Sequence, residues 1–334
     1  MSFKDLTAKW KRSPSDVTGI DFGQSASKIV RLQKNGDAIT FVGAEIVPAD
    51  GSEVVIPIPH RLSARHVSIC LSAVSSTTKL LTLPGAIDST FEANLPKHLG
   101  VDPQADNRIS YTVITEGTGR AESRVLAIAL PEADARPVMQ RFASGLPAPY
   151  SLEIAAIAAL TTFRAGPVLN STEAAAALLD FGMQTTTLSI FAKKALVLVR
   201  RFDFGIQKLL DRVVSALHID AATALNILSD NAFDISELIT EIMGPFSSQV
   251  IVSRDFVERR ENCSLKTLHC IGGIGTAPAA IQELERVLSL SVEMFDPFSI
   301  PLLKTAKPDA SIDTQRWRLT AAIGAALGTL QEES

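Results

Sequence analysis

Gly-Ile-Asp-Phe-Gly-Gln-Ser-Ala-Ser-Lys, residues 19–28, decides how this sequence is read, because a partial echo returns at residues 178–187 as Leu-Leu-Asp-Phe-Gly-Met-Gln-Thr-Thr-Thr. In both copies an apolar run leads into Asp-Phe-Gly, small hydroxyl residues follow, and a second β-like run comes next (Ile29–Leu32 and Leu188–Phe191). Two matching hairpins half a chain apart predict two similar lobes rather than a short-period repeat. The pattern has a physical use. A glycine in the turn lets backbone N–H groups approach phosphate oxygens, hydroxyls add donors, and an aspartate can hold a hydrated Mg²⁺ that bridges those phosphates. A third Asp-Phe-Gly at residues 203–205 shows how commonplace the tripeptide is by itself. It is also a protein-kinase tripeptide, but no glycine-rich loop, catalytic-loop motif or Ala-Pro-Glu stands at kinase spacing.

The chain has 334 residues, 46% of them hydrophobic, and a formal net charge of −4. That supports two cores and gives no general attraction to nucleic acid. Cys70, Cys263 and Cys270 are scattered and lack metal-ligand spacing, which fits a reducing compartment. Met1 to Arg12 has no apolar stretch, so no signal peptide is expected, and no run reaches the roughly 20 apolar residues of a membrane span. A membrane link is therefore expected only through partners. His60, His66, His98, His218 and His269 do not pair at ligand spacing. Arg200-Arg201 with Arg259-Arg260 reads as a solvated face or an interface, and Phe233, Phe246 and Phe256 as core.

Residues 1–16 are expected to form a flexible basic tail, although Leu6 and Trp10, four apart, would also suit a short amphipathic helix. Residues 17–175 form the expected first lobe. It opens with strands at 18–22, 28–33 and 39–45 and an Asn35-Gly36 hairpin turn, followed by a strand at 66–71. Within it, residues 72–145 read as a small inserted α+β module: strand 79–83, helix 88–99 capped by Asp88 or Ser89, strands 108–115 and 123–130, and helix 132–143. It has no cluster of catalytic side chains and is assigned to partner contact. Residues 151–163 read as an alanine-rich helix. The second lobe, 176–330, repeats the meander, with a helical insertion at about 218–262 that breaks near Gly244-Pro245. A strand at 268–271 and helix 277–288 follow. The C-terminal helix, 316–330, is expected to pack back between the lobes.

Gly272-Gly273-Ile274-Gly275 lies between that strand and helix, where a flat ligand or a phosphate could approach the backbone. It matches neither a dinucleotide fingerprint nor a P-loop. The ordered set of Asp21-Phe22-Gly23, Asp180-Phe181-Gly182 and Gly272-Gly273-x-Gly275 resembles the two phosphate loops and the adenosine loop of the actin-like ATPase superfamily. Within it the chain is similar to the PilM family of type IV pilus assembly proteins. The opening Gly19–Gly23 with Ser25, Ser27 and Lys28, the stretch Arg124–Leu130 with its following helix and Gly145-Leu146, and the close at Asp296-Pro297-Phe298 carry that resemblance. Gln24 departs from it, standing where a small residue is usual; Asn226 and Gln249 replace a common lysine and glutamate.

The resemblance implies an α/β, two-lobed actin-like (ribonuclease H-like, duplicated) fold with the inserted subdomain in the first lobe, and ATP with Mg²⁺ in the interlobe cleft. Carried over by position, Asp21, Gly23, Gln24, Ser25, Ser27 and Lys28 would face one side of the phosphates. Asp180, Gly182, Gln184, Thr185 and Thr186 would face the other, and Gly272, Gly273 and Gly275 would lie by the adenosine. Asp21 and Asp180 would hold Mg²⁺ through water. The resemblance further implies a cytoplasmic adaptor peripheral to the inner membrane that captures the N-terminal cytosolic segment of a PilN-like membrane protein. Other platform or motor components and a homo-oligomer or ring are further implied partners. ATP would act there as a structural or switching ligand, with at most weak hydrolysis and no assigned catalytic residue.

The competing readings are a sugar- or acetate-type kinase of the same superfamily, a nucleotide-free scaffold, a polymerising or chaperone relative, and the cytoplasmic part of a type II secretion protein. A kinase needs a carboxylate base near an acceptor hydroxyl. No acidic residue of the first lobe is singled out for that role by the sequence, and Asp50 and Glu53 read as solvated loop residues. The polymerising or chaperone relative would need longer polymer contacts or a substrate domain, and the secretion protein a transmembrane helix; neither a substrate domain nor such a helix is expected here.

Overall fold

Short, largely buried apolar runs make two three-stranded meanders, each extended by parallel strands, in a computed structural model that describes residues 14–49, 58–88, 90–142, 145–171, 175–230, 233–305 and 309–332. Most of the expected N-terminal tail, with Leu6 and Trp10, lies outside the described residues, as do Asp50, Glu53 and Ser89. Packing groups Met1–Ser72, Met139–Pro167 and Asp296–Ser334 into one compact unit, and Ala73–Val138 and Val168–Phe295 into another. The sequence reading put residues 72–145 with the first lobe and ended the second at residue 330. Packing instead sets 73–138 beside the second meander and 296–334 with the first.

In the first unit, β1 (Asp16–Phe22), β2 (Ala26–Asn35) and β3 (Ala38–Pro48) run antiparallel. Asn35 pairs with Ala38 around Gly36, whose φ of 60° suits the hairpin expected there. β4 (His66–Leu71) lies parallel to β1, and β8 (Ala148–Ile154) parallel to β4. At the other edge β14 (Leu303–Thr305) pairs with β3, giving the order β14-β3-β2-β1-β4-β8. Residues 151–154, expected as helix, are therefore strand, because their ladder with β4 is a non-local partnership that local alanine content does not reveal. The helix there is α3 (Ala155–Ala165). The C-terminal segment likewise begins as a 3₁₀ turn over Arg316–Leu319 before α10 (Thr320–Gln331).

Helix α10 is buried along nearly its whole length and packs on α3, β1, β2 and β4. Its Ala/Gly composition allows a helix–helix approach that larger side chains would prevent. At Gly324 a Cβ would overlap the carbonyl oxygen of Ala158, and Thr162 Oγ1 donates to Thr320 O at 2.7 Å. This helix is thus part of the packing of the first sheet.

In the second unit β9 (Ala175–Phe181), β10 (Thr186–Ala192) and β11 (Ala195–Phe202) repeat the meander, with β12 (Thr267–Gly272) parallel to β9 and β13 (Ser291–Met294) parallel to β12. The order β11-β10-β9-β12-β13 reproduces β3-β2-β1-β4-β8 strand for strand. Helices α5 (Ile206–Leu217), α6 (Ala221–Asp230), α7 (Ser236–Glu261) and α8 (Pro278–Leu288) contribute to its core. α7 is unbroken through Pro245, since Met243, Phe246, Val250 and Val257 bury both halves in one core. Phe246 is core, whereas Phe233 and Phe256 are half exposed, correcting the expectation for those two.

The small module forms a sheet of order β5-β7-β6, from β5 (Thr77–Pro84), β6 (Asn107–Thr115) and β7 (Glu122–Pro131). Helix α1 (Phe91–Leu99) covers it, burying Phe91, Leu95 and Leu99 on Val125, Ala127 and Ala129. Asp88 does not begin that helix: its carboxylate accepts from Thr90 N and Oγ1 in a local turn that delays the start. Arg124 pairs with Glu261 of α7 at 2.6 Å, and Arg201 of β11 donates to Ser76 O at 2.7 Å; these contacts set the module beside the second meander. Arg200 and Arg201 are thereby spent on protein partners rather than on an anion site.

Two glycines of α10 separate close approach from mere openness. Gly324→Ala is expected to destabilise by about 1–3 kcal/mol through overpacking against the Ala158 backbone. Gly328→Ala, whose Cβ would sit 3.5 Å from Glu153 Oε1, should be neutral or stabilising by up to about 1 kcal/mol through helix propensity. Urea unfolding of the two variants checks the contrast, and equal losses would refute this account of the packing.

Candidate functional site

The first Asp-Phe-Gly turn joins β1 to β2. Asp21 ends a buried strand and is itself only 5% exposed, directly across the ladder from Lys28. Lys28 Nζ donates to Asp21 Oδ2 at 2.8 Å, while Oδ1 is buried with no hydrogen-bond partner among the described residues. A Cβ at Gly23 would clash with Lys28 Nζ and lie 2.8 Å from Ala26 O, so the glycine is what lets the lysine cross the turn. Gln24 and Ser25 are exposed at the tip, and Ser27 is half-buried. Arg318 stands within electrostatic reach: burial pulls its guanidinium below the ordinary value and the Asp21 carboxylate pushes it back up.

A buried carboxylate oxygen without a donor is costly, and a metal-bound water would supply the missing hydrogen bond. Asp21 thus fits the water-mediated Mg²⁺ role expected of it. Among the described residues no group of three or more His, Cys, Asp or Glu could hold a metal. A cation at the turn would accordingly depend on phosphate and water for its remaining ligands.

The second turn is assembled by parts the sequence reading undervalued. Gly182 N donates to Thr185 O at 2.9 Å, closing the turn, with Gln184 exposed and Thr185 half-buried. Thr186 is fully buried and its hydroxyl donates to Phe204 O at 2.6 Å. Its donor is therefore committed to the fold, in contrast to the phosphate contact expected for it. That acceptor belongs to the third Asp-Phe-Gly. Phe204 stacks on Phe246, with centroids 4.8 Å apart, and meets Phe181 edge-on at 5.8 Å. Gly205 comes so close that a Cβ would lie 2.5 Å from Met183 O, and the first N–H groups of α5 close the clasp, Ile206 N to Gly182 O and Gln207 N to Met183 O. The signal for this was available: a glycine directly before an amphipathic helix is a capping position.

The glycine stretch after β12 joins the same group. Ile271 is the ladder partner of Asp180 and Gly272 that of Phe181. Gly272 has a φ of 79°, and a Cβ there would be 3.2 Å from Asp180 Oδ1. Gly273–Thr276 is a 3₁₀ turn that buries Ile274 and leaves Gly273 and Gly275 half-buried. The second unit thus brings Asp180, Gly182, Gly272, Gly273 and Gly275 to the same ends of β9 and β12. Each unit presents one carboxylate at the end of its central strand beside a glycine turn.

One acidic residue escaped the sequence reading. Glu153, placed on strand β8, is the ladder partner of Cys70, which in turn pairs with Asp21. Burial pushes its carboxyl up to about 7, and the Glu332 carboxylate adds to the rise. With residues 151–163 expected as helix, the sequence does not single out Glu153; as a strand residue it is turned toward Gly328 of α10.

No protein-family model matches this chain, and no curated protein does. Among solved structures, a chain of the "PilM-PilN type IV pilus biogenesis complex" is similar over 96% of this chain and 100% of its own, at 15% identity and a TM-score of 0.79. Ethanolamine utilization protein EutJ from Carboxydothermus hydrogenoformans aligns over 95% of this chain and 90% of its own, at 12% identity and a TM-score of 0.44. Ta0583, an archaeal actin homolog, aligns over 94% and 98%, at 11% identity and a TM-score of 0.45. The fold is the α/β actin-like fold of the PilM kind, with its duplicated sheets.

Glu153 sets a pH dependence. Its folded value of about 7 lies above the ordinary 4.5, so between those values the fold keeps a proton that the unfolded chain releases. Stability should then fall by about 3 kcal/mol as pH rises from 4.5 to 7 and level off above. Glu153→Gln is expected to remove that fall and to be the more stable protein at pH 8. Parallel stability–pH curves for the two proteins would refute the assignment.

Proposed function

We propose that this protein is a PilM-like adaptor of a type IV pilus or related secretion machinery. In this reading it takes ATP with Mg²⁺ at its Asp-Phe-Gly turns and binds the N-terminal cytosolic segment of a PilN-like inner-membrane protein. The observation that carries the reading is the likeness to a chain of the PilM-PilN complex over essentially the whole length of both chains. The turns support the nucleotide part. Lys28 would supply a cation to a phosphate, and Asp21 and Asp180 would orient a water-bearing Mg²⁺. Gln24, Ser25, Ser27, Gln184 and Thr185 would add donors. Gly23 and Gly182 keep the turns tight, and Gly272, Gly273 and Gly275 keep side-chain bulk off the adenosine. Mg²⁺ would supply charge neutralisation between phosphates.

No helix among the described residues is long and apolar enough to cross a membrane. In this reading the protein sits in the cytoplasm, at the inner membrane through its partner, with ATP as a switching ligand. The small-molecule kinase, the second reading, needs a carboxylate base beside an acceptor hydroxyl, whereas the one carboxyl among the described residues raised to about 7, Glu153, lies against α10.

Calorimetry with Mg-ATP, with and without the N-terminal peptide of a membrane-anchored operon neighbour, separates the readings. The adaptor predicts peptide binding without turnover. Peptide binding with no nucleotide uptake would leave a nucleotide-free scaffold, and phosphate transfer to a small acceptor would replace the adaptor with the kinase. Asp180→Ala is expected to weaken Mg-ATP binding by more than tenfold, since losing a hydrogen bond to a charged ligand costs about 1.5–3 kcal/mol. Unchanged affinity in that variant would remove Asp180 from the site.

A further inference from the structure

The second turn is tied to the small three-stranded sheet by a short chain of contacts within one unit. β10 begins at Thr186, directly after the turn, and its first two residues face Phe202 and Arg201 across the ladder with β11. The Thr186 hydroxyl bond to Phe204 O and the approach of Gly205 to the carbonyls of Gly182 and Met183 fix the end of β11 to the turn. From that end Arg201 Nη1 donates to Ser76 O at 2.7 Å. Ser76 is only 2% exposed, and both its N–H (3.2 Å) and its hydroxyl (2.7 Å) bond to Ala73 O, making a closed turn that leads straight into β5. β5 then pairs with β7 along its full length, from Thr77 opposite Ala129 to Pro84 opposite Glu122.

The other ties of the module run elsewhere. Arg124 to Glu261 at 2.6 Å and Arg260 to Glu122 at 3.4 Å join it to the C-terminal end of α7. Arg200, the neighbour of Arg201, faces the opposite way, as adjacent strand residues do, and bonds Ser253 and Gln249 of α7. β11 also lies against β5 and β6, and among the described residues the bond of Arg201 to the Ser76 carbonyl is a direct, charge-assisted polar route from its turn-side end into the module.

We propose that Arg201 transmits occupancy of the second Asp-Phe-Gly turn to the β5–β7–β6 sheet, so that nucleotide at the turn changes the module assigned to partner contact. This rests on the nucleotide reading above. Linkage makes the coupling reciprocal: whatever the nucleotide does to the module, a ligand on the module does to the affinity for nucleotide.

The test is amide hydrogen exchange on the full chain with and without Mg-ATP, with calorimetric binding measured alongside, for wild type, Arg201→Met, Arg201→Lys and Arg200→Met. In wild type, Mg-ATP is expected to slow exchange at residues 182–187 and, by about fivefold or more, at residues 76–84. Arg201→Met should still bind Mg-ATP and protect 182–187 while losing the effect at 76–84. Arg201→Lys should keep part of it, which covers the case in which the methionine variant does not fold. Arg200→Met should behave as wild type. Binding by wild type without any change at 76–84, or an Arg201→Met protein that retains the full effect, overturns the coupling and leaves the nucleotide reading standing. No Mg-ATP binding by wild type overturns both, and calorimetry alone shows it.

Discussion

The approach of α10 to α3, at a distance where a single methyl group does not fit, is the constraint on which the first unit depends. It is made of backbone against backbone, Gly324 over Ala158, and is fixed by the Thr162 hydroxyl on the Thr320 carbonyl. Everything at that end of the chain inherits its position from this contact. The 3₁₀ turn before α10 places Arg318 near Asp21, and the far end of the helix covers Glu153. The surroundings of the first carboxylate are thus set by a segment some 300 residues away in sequence.

The second unit solves the equivalent problem differently. Its carboxylate lies beside a turn clasped from outside, by a glycine, two helix-starting N–H groups and one buried threonine hydroxyl. The two turns share a tripeptide and a ladder position but not a mode of support. Lys28 stands across from Asp21 in the first, whereas Thr187 occupies the equivalent place beside Asp180. Electrostatic compensation is local in one and conformational closure is local in the other.

Much of the fold was legible because its strongest signals are local. The paired Asp-Phe-Gly stretches, the Asn35-Gly36 hairpin and the amphipathic α5 each announce themselves within a dozen residues. What escaped depends on partners far off in the chain. Residues 151–154 are strand only because β4 lies alongside, and β14 is three residues that gain meaning from β3. At the turns, the positions of Asp21 and Asp180 at the strand ends and of the glycines beside them could be read. Glu153 could not, because its environment comes from α10, and the third Asp-Phe-Gly was discounted by its resemblance to noise. Thr186 shows the converse limit: its residue type suits phosphate, but a carbonyl of the neighbouring loop already uses it. Phe233 and Phe256 show that an aromatic residue type by itself does not fix burial.

The three-stranded module has an apolar interior of its own, from Phe91, Leu95 and Leu99 to Val125, Ala127 and Ala129, and among the described residues Arg124 to Glu261, Arg260 to Glu122 and Arg201 to Ser76 tie it to the rest of its unit. A part built in this way behaves as a cassette. Over evolutionary time it can be resized, or traded for another, at the cost of a few surface charges and without re-solving the packing beneath. The glycine clasps have no such latitude, so lineages sharing this architecture should diverge fastest in the cassette and slowest at the turns.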